Sequence, residues 1–374
     1  MNYEKITCPE LSAEADVSIF PSPGDMSEYH AMIRLTDATC SVDEQYERIE
    51  TMAEFVRTRL QGAEPVWKRY FVSDAVNQRP FLEQVRGTAA VSIVQQPPLN
   101  GTKVAVWFYL ASGVRLSREA GGVSVMEHAS YRHIFCTGLH SPAKDEAAQT
   151  EDIFNQYIRL LASQGGTLEK HCIRTWIYVQ GIDTHYAGMV AARKACFERN
   201  GLTPKTHFIA STGIEGKYIR PDVLAFMDAY AVQGLKPEQI QYLHAPTHLN
   251  PTHEYGVTFE RGTAIHYGDR RHVFISGTAS INNRGEIEHP MDILKQTERM
   301  FKNIQALLSE ADTGMDEVAC LIVYLRDISD YHLIDSYMET VYPQLPKVIV
   351  WAPVCRSGWL IEAECMAIKQ LDNT

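Results

Sequence analysis

Two glutamates near the C-terminal end of the sequence are the residues best suited to acid–base chemistry. They lie in the alternating run 360–367, where the two-residue period of a β-strand places Glu362 and Glu364 on one face. Two carboxyls held close together among buried residues raise the pKa of at least one, which can then donate a proton near neutral pH. We predict Glu362 as a general acid. The alternative is that both glutamates make structural ion pairs between units of the chain.

Cys355 and Arg356 directly precede this strand. A guanidinium can bind a substrate carboxylate through two parallel hydrogen bonds, so Arg356 is a predicted substrate-binding residue. Its structural alternative is an ion pair with Glu364. Cys355 is expected to be a packed side chain rather than a nucleophile, because free cysteine is among the most buried residue types.

Other candidate motifs are incomplete. His244, His248 and His253 lie in a proline-rich segment, but their spacing fits no standard zinc pattern. The run 213–217 resembles part of a phosphate-binding loop without its full spacing, which favours an ordinary turn. No dinucleotide fingerprint is present. The sequence therefore predicts neither a metal nor a cofactor.

An internal repeat organises the elements that must position these residues. The run 132–138 matches 271–277, and each is followed by a helical segment containing Gln-Thr-Glu and by a second strand. Residues 1–112 repeat this plan more faintly. We predict three α+β units of about 100 residues, each a mixed sheet with helices on one face. The predicted domains are 1–124, 125–235 and 236–374, with connectors at 113–124 and 234–270.

Only the third unit carries the pair of glutamates. Aligning the last strands of the units matches Glu362 and Glu364 with Phe226 and Asp228 in the second unit. The same alignment matches them with Val106 and Phe108 in the first unit, which would therefore hold no acid at this place.

Composition narrows the class of protein. The chain has 374 residues and a formal charge of −11, from 35 Lys and Arg against 46 Asp and Glu, which makes nucleic acid an unexpected partner. The longest apolar run, 104–111, has eight residues against the roughly 20 that a membrane-spanning helix needs. Eight scattered cysteines without a CxxC pair are typical of a reduced protein, and we expect it to be cytoplasmic.

The third unit resembles the Rid (YjgF) family in its Gln-Thr-Glu helix, its Val-Tyr-Leu-Arg-Asp strand and its run 361–367. Rid proteins are trimers with ligand sites in clefts between protomers. The resemblance therefore implies that three Rid/YjgF-like (chorismate-mutase-like) repeats form a single-chain pseudo-trimer. The family has an arginine that grips the substrate carboxylate fifteen residues before the strand glutamate, and Lys347 stands at that position here.

Residues 130–368 further resemble the chorismatase family, which is itself built on Rid-like units. The motifs that carry the resemblance are 276–281, His289-Pro290-x-Asp292, Gln296-Thr297, Cys355-Arg356 with Glu362 and Glu364, Arg174-Thr175-Trp176-x-Tyr178, Tyr186 with Arg193 and Phe197, and Glu254-Tyr255-Gly256. One departure is Ile177, which stands where the family is expected to have Asn.

The chorismatase resemblance implies cleavage of the enolpyruvyl ether of chorismate, or of a related carboxylate, with release of pyruvate. Glu362 would protonate the enolpyruvyl methylene, Glu364 would keep Glu362 protonated, and Cys355 would steer the fate of the ring. The residues implied in substrate binding are Arg356, Arg193, Arg174, Lys347, Tyr178, Tyr255, Thr278, Ala279 and Glu364. No cofactor is implied.

Two other functions remain open from the sequence. One is a Rid-type deaminase that acts on enamines or imines, and the other is a carboxylate-binding protein without catalysis. In each case the partner is a small-molecule carboxylate, with no nucleic acid and no membrane. We expect one site between the second and third units, in a monomeric pseudo-trimer or a weak homo-oligomer.

Overall fold

The computed structural model describes residues 1–21, 26–60, 62–84, 89–119 and 122–371, with only the backbone at Tyr255. These residues form three six-stranded mixed sheets, each made from a consecutive stretch of the chain. The predicted α+β fold of three repeated units is confirmed. Within the described ranges, no helix is long and apolar enough to cross a membrane.

The first sheet has the strand order β1-β2-β3-β6-β4-β5. Its long helix begins after Ser41, whose hydroxyl accepts a hydrogen bond from the Glu44 backbone while the Glu44 carboxylate accepts one from the Ser41 backbone. The elements are β1 Asn2–Cys8, β2 Ala13–Phe20, β3 Ser27–Leu35, α1 Val42–Arg59, β4 Glu64–Val72, α2 Arg79–Leu82, β5 Ala90–Gln95 and β6 Val104–Ser112.

The second sheet has the strand order β11-β10-β12-β9-β8-β7. Its first long helix is capped by Asp145, which accepts a hydrogen bond of 2.9 Å from the Ala148 backbone. The elements are β7 Arg115–Arg118, β8 Ser124–His128, β9 Tyr131–His140, α3 Glu146–Ser163, α4 Leu168–His171, β10 Cys172–Val179, α5 Ile182–Arg199, β11 Ala210–Glu215 and β12 Ala225–Gln233.

The third sheet has the strand order β13-β14-β15-β18-β16-β17. Asp292 caps its long helix by accepting a hydrogen bond of 3.0 Å from the Lys295 backbone. The elements are β13 Ile240–Leu243, β14 Gly262–His266, β15 Arg270–Ala279, α6 Ile293–Glu310, β16 Val318–Leu325, α7 Tyr331–Val341, β17 Lys347–Trp351 and β18 Ile361–Gln370.

The two segments expected to be connectors contain strands, so that expectation is wrong. β7 lies within 113–124 and pairs with β8, while β13 and β14 lie within 234–270 and extend the third sheet. The predicted boundary after residue 124 falls inside β8. These strands have four or five residues, too few for the period-two pattern of a half-buried strand to stand out. The division into three domains stays a prediction.

The three sheets share one topology, so the pairing of equivalent strands tests the alignment of the last strands that the sequence suggested. Tyr178 pairs with Phe226 in the second sheet as Tyr324 pairs with Glu362 in the third, so the match between these two units is correct. The match with the first unit is wrong, because Val106 and Phe108 pack in the helix-side core with α1. A slip of one residue turns every side chain of a strand to the other face.

The opposite faces of the three sheets enclose a shared interior. Trp107, Trp176 and Phe274, one from each sheet, belong to the same buried cluster. Arg69 of β4 is fully buried there, 3.2 Å from Asp228 of the second sheet and 3.9 Å from Glu364 of the third. This charge therefore links all three units at the centre of the molecule.

Candidate active site

Glu362 lies in the middle of the third sheet, on the face turned towards the second sheet. It pairs with Ala279 of β15 on one side and with Tyr324 of β16 on the other. The pairing of β15 with β18 is irregular between Ile275 and Thr278, and Gly277 lies in that irregular stretch. A Cβ atom at Gly277 would be 2.2 Å from Oε1 of Glu362, so the absence of a side chain there makes room for the carboxyl.

The environment of Glu362 favours its protonated form. The residue is 5% exposed, and no residue in the described part of the chain forms a hydrogen bond or salt bridge with its carboxyl. Burial raises the pKa of Glu362 to about 8, and the neighbouring Glu364 contributes in the same direction, whereas Arg261 and Arg174 oppose the shift. Glu362 can therefore hold a proton near neutral pH and donate it.

Glu364, the second glutamate, is neutralised by partners from the second sheet. Its Oε2 is 2.8 Å from Nη2 of Arg174, and its Oε1 accepts a hydrogen bond of 2.6 Å from the Trp176 indole. Arg174 also donates to the Thr212 hydroxyl at 2.6 Å. The ion pair that the sequence suggested between Arg356 and Glu364 is thus replaced by one with Arg174, which supports Glu364 from behind the cleft.

The second and third sheets meet along a short seam beside Glu362. The Ser276 hydroxyl accepts a hydrogen bond of 2.9 Å from the Ser211 backbone and donates one of 2.6 Å to the Glu260 carbonyl. One residue further, the Gly277 backbone donates to the Thr212 hydroxyl at 2.9 Å. These bonds fix β11 against β15, so the two sheets form adjoining walls of one cleft.

The cleft gathers five of the predicted site residues. Its enclosed space is about 40 Å³, room for one or two water molecules. The described residues that line it are Tyr186, Arg193, Ser211, Thr212, Gly213, Val257, Phe259, Arg261, Gly277, Ala279, Ile281, Cys355, Arg356, Trp359 and Glu362. The predicted residues Glu362, Cys355, Arg356, Arg193 and Ala279 thus share one site between the second and third units.

Three arginines supply positive charge to this cleft. Arg193 is buried on α5. Arg356 donates to the Gly285 carbonyl at 3.4 Å and lies over the Trp359 ring, 4.8 Å from its centroid. Three arginines around one protonatable carboxyl form a suitable site for an anion with more than one carboxylate.

Arg261 is the member of this set that the sequence did not reveal. Its guanidinium donates to the carbonyl and side-chain oxygens of Asn250, at 3.0 and 3.1 Å, and lies over the Phe259 ring. In the sequence it is a single arginine before a short strand, without a motif or a periodic pattern to mark it. Its role becomes visible only in the folded protein, where Arg261 lowers the pKa of Glu362.

Cys355 lines the cleft as a protonated thiol. Burial and the nearby Glu362 carboxylate raise the pKa of the Cys355 thiol to about 12. The thiolate is the nucleophilic form of cysteine, so at neutral pH this side chain is a poor nucleophile. Among the residues that the structure describes, no group of three or more His, Cys, Asp or Glu side chains is arranged to hold a metal.

Comparisons with known proteins agree with the three-unit architecture. The family model described as "Endoribonuclease L-PSP" matches residues 262–369. A RutC family protein of Pyrococcus abyssi is 32% identical over 101 residues, which are 26% of this chain and 79% of that protein. The chain belongs to the RutC family. Another relative, the 3-aminoacrylate deaminase RutC of Acinetobacter baylyi, is 26% identical over 72 residues, which are 19% of this chain and 57% of that protein.

This RutC family chain also has the fold of a known chorismatase structure. The two superpose with a TM-score of 0.66 at 18% sequence identity, over 94% of this chain and 99% of the other. The likeness spans all three units, whereas the family model covers the third unit alone.

Lys347, the residue at the position of the family's arginine, lies away from Glu362. It pairs with Glu339 at 2.7 Å in a different cleft, between the third and first units. In the second sheet the equivalent register position is Ser211, because Thr175 pairs with Ser211 as Leu321 pairs with Lys347. Ser211 is the residue that lines the Glu362 cleft, so this position brings no cation to that site.

Two of the remaining predicted residues, Tyr178 and Thr278, lie outside the cleft lining. Tyr178 is buried in the interior, its hydroxyl 3.5 Å from Asp228. Thr278 is buried and donates to the Ser276 carbonyl at 2.8 Å, which places it in the wall. The side chain of Tyr255 lies outside the described residues.

Proposed function

We propose that the Glu362 cleft cleaves the enolpyruvyl ether of chorismate, or of a closely related carboxylate, and releases pyruvate. The observation that carries this proposal is the Glu362 carboxyl, which is buried, lacks a hydrogen-bond partner among the described residues and has a pKa raised to about 8. An enol ether is cleaved by protonation of its terminal carbon, and this reaction needs an acid that is still protonated at the pH of the cell.

The residues of the cleft suit the successive steps. Glu362 donates its proton to the enolpyruvyl methylene carbon, which becomes a methyl group as the adjacent carbon becomes an oxocarbenium ion. Water adds to that carbon and loses a proton to the Glu362 carboxylate. The resulting hemiketal collapses to pyruvate and a cyclohexadiene diol. Arg193, Arg261 and Arg356 would hold the two carboxylates of the substrate.

An internal rearrangement in place of water attack would give a hydroxybenzoate. Cys355 lines the cleft as a neutral thiol, so it would influence this choice by its shape and weak hydrogen bonding rather than by nucleophilic attack. The chemical nature of the ring product follows from chromatography of the reaction mixture.

The enclosed space limits how substrate enters. Chorismate is larger than the 40 Å³ between the walls. We propose that substrate binding turns the half-buried side chain of Arg356 outward, since this residue lies in the segment between β17 and β18. Its guanidinium would then close over the bound carboxylate.

The test is release of pyruvate from chorismate, followed by coupling to lactate dehydrogenase. Wild-type protein should release pyruvate and Glu362→Gln should not, while both keep the same circular dichroism spectrum. Glu298→Gln, which removes an exposed carboxyl on α6, is the matched control and should keep the wild-type rate. Intact chorismate after incubation with folded wild-type protein would refute the proposal. If chorismate raised the melting temperature without any product, the site would be a carboxylate-binding site without catalysis.

A Rid-type deaminase is the second candidate function. It is favoured by the relative whose name is 3-aminoacrylate deaminase RutC. One observation argues against this candidate. In the Glu362 cleft, Ser211 lies at the position where the Rid family has its carboxylate-binding arginine. Faster release of ammonia from an imine freshly formed from an amino acid, with chorismate left intact, would favour this candidate.

A further inference from the structure

One histidine from each unit lies at an equivalent place in the shared interior. His30 of β3, His133 of β9 and His272 of β15 each precede, by two residues, the side chain that their strand contributes to the common buried cluster. The three histidines are 1%, 3% and 2% exposed. An imidazole buried in this way can carry a positive charge only if a partner neutralises it. We call these three residues the histidine cluster.

The contacts of His30 hold its ring in the neutral form. Its Nδ1 is 3.1 Å from Nε1 of the Trp107 indole, which can only donate a hydrogen bond. Nδ1 therefore has its lone pair free to accept, and a second proton on this ring would break the bond. The ring also stacks on Tyr109, with the two centroids 4.5 Å apart. Burial lowers the pKa of His30 to about 3.

His133 is enclosed by the second and third units. Its Nδ1 is 2.7 Å from the Tyr230 hydroxyl, which in turn is 3.3 Å from the Tyr267 hydroxyl. Burial lowers the pKa of His133 to about 3, and the nearby His272 acts in the same direction. Among the described residues, neither His133 nor His30 forms a salt bridge with a carboxylate.

Glu28 of β3 supplies negative charge beside the cluster, but its oxygens already have partners. Its Oε1 is 2.6 Å from Nη1 of Arg270 and 2.9 Å from Nε2 of His272, and its Oε2 accepts a hydrogen bond of 2.8 Å from the Tyr109 hydroxyl. This carboxylate cannot also neutralise charges on the other two histidines. The titratable and charged groups around those two are Glu28, Asp269, Arg270, His272, His128, Tyr109, Tyr131, Tyr230 and Tyr267.

We propose that the histidine cluster is an acid-sensitive clamp, which holds the three units together while His30 and His133 are neutral and loses this hold as the medium becomes acidic. The folded pKa values of both lie below the ordinary 6.5, so the unfolded chain binds two protons that the folded interior does not. Their contribution to stability is complete above about pH 6.5 and is lost as the pH falls towards 3. This inference does not depend on the function proposed for Glu362.

The experiment is urea unfolding of the full chain at half-unit steps from pH 7 to pH 4. Tryptophan fluorescence reports on docking, because Trp67, Trp107 and Trp176 pack together in the shared interior. Each histidine that is neutral only in the folded chain raises the unfolding equilibrium constant by up to tenfold per pH unit. The two together should therefore contribute up to about a hundredfold per pH unit between pH 6 and pH 4.

The test variant carries both His30→Asn and His133→Asn, since the amide oxygen of asparagine can accept the hydrogen bond that Nδ1 accepts. Its unfolding constant should rise less steeply than that of wild type, by at least about tenfold per pH unit. The slope is compared rather than the stability itself, because the smaller side chains lower stability at every pH. Each single variant should give about half of the effect on the logarithmic scale, and it replaces the double variant if that does not fold.

His253→Asn, which replaces an exposed histidine, is the matched control and should keep the wild-type slope. Equal slopes in wild type and the double variant would overturn the proposal, since acid would then act through carboxylates such as Glu28. A wild-type unfolding constant that stayed unchanged from pH 6.5 to pH 4 would overturn it without any variant.

Discussion

Replacing Glu362 by glutamine should make the protein more stable than the wild type, and increasingly so as the pH rises. The pKa of Glu362 is about 8 in the folded protein, against 4.5 for an ordinary glutamate. Between these values the unfolded chain has lost the proton that the folded chain still holds, so wild-type stability falls as the pH rises through this window. Glutamine resembles the protonated acid and does not titrate.

The size of the effect follows from the two pKa values. The 3.5 units between 4.5 and 8 correspond to about 5 kcal/mol, gained at about 1.4 kcal/mol per pH unit. The advantage of the variant should therefore be small near pH 5, should grow steadily to pH 8 and should then level off. Glu364 remains in both proteins, so the comparison isolates one carboxyl.

The assay is urea unfolding of both proteins at each pH from 5 to 9, followed by tryptophan fluorescence. The Glu298→Gln control shows how much the loss of one negative charge changes stability in general. A difference between Glu362→Gln and wild type that stayed constant from pH 5 to pH 8 would refute the reasoning. Glu362 would then ionise like an exposed glutamate and could not serve as an acid at neutral pH.

Three further predictions concern the surroundings of Glu362. Gly277→Ala should lower kcat with little loss of thermal stability, because the new methyl group mainly displaces the flexible end of Glu362 and meets the Thr212 methyl group at 3.1 Å; an unchanged kcat would contradict the close packing. Glu364→Ala should reduce the free energy of unfolding in urea by about 3–5 kcal/mol, because it leaves the buried Arg174 without its carboxylate, and a loss below about 1 kcal/mol would contradict this. Arg261→Met should move the alkaline limb of the pH–rate profile to higher pH, because Arg261 lowers the pKa of Glu362, whereas an unmoved limb would show that the two groups do not interact.

The fold was predictable because its signals are local and repeated. The runs 132–138 and 271–277 form equivalent strands β9 and β15, and the helices that follow them have equal lengths of 18 residues. The first unit was harder to align, since its strands lack matching polar residues. An alignment set by apolar residues alone can slip by one position, which is how Val106 and Phe108 were assigned to the wrong face.

The candidate site was predictable only for residues that lie on one strand or in the segment that leads into that strand. The period of β18 places Glu362 and Glu364 together, and Cys355 and Arg356 lie just before it. The residues that reach these side chains from distant parts of the chain are not marked by any pattern in the sequence. Arg174 reaches Glu364 across 190 positions of the chain, and Arg261 reaches the cleft from a segment that is irregular in sequence.

The sequence by itself determined the three repeated sheets and the pair of carboxyls on one strand, because hydrophobic periodicity and strand alternation act between near neighbours. Only the tertiary structure decided which carboxyl is paired and which is left to titrate, because burial and ion pairing depend on groups brought in from another sheet. It also separated Lys347 from Glu362, since β17 and β18 lie on either side of β16 and these two residues line clefts with different neighbouring units. Docking of the sheets thus distributes the charged residues between two clefts, and the order of residues along the chain does not encode that distribution locally.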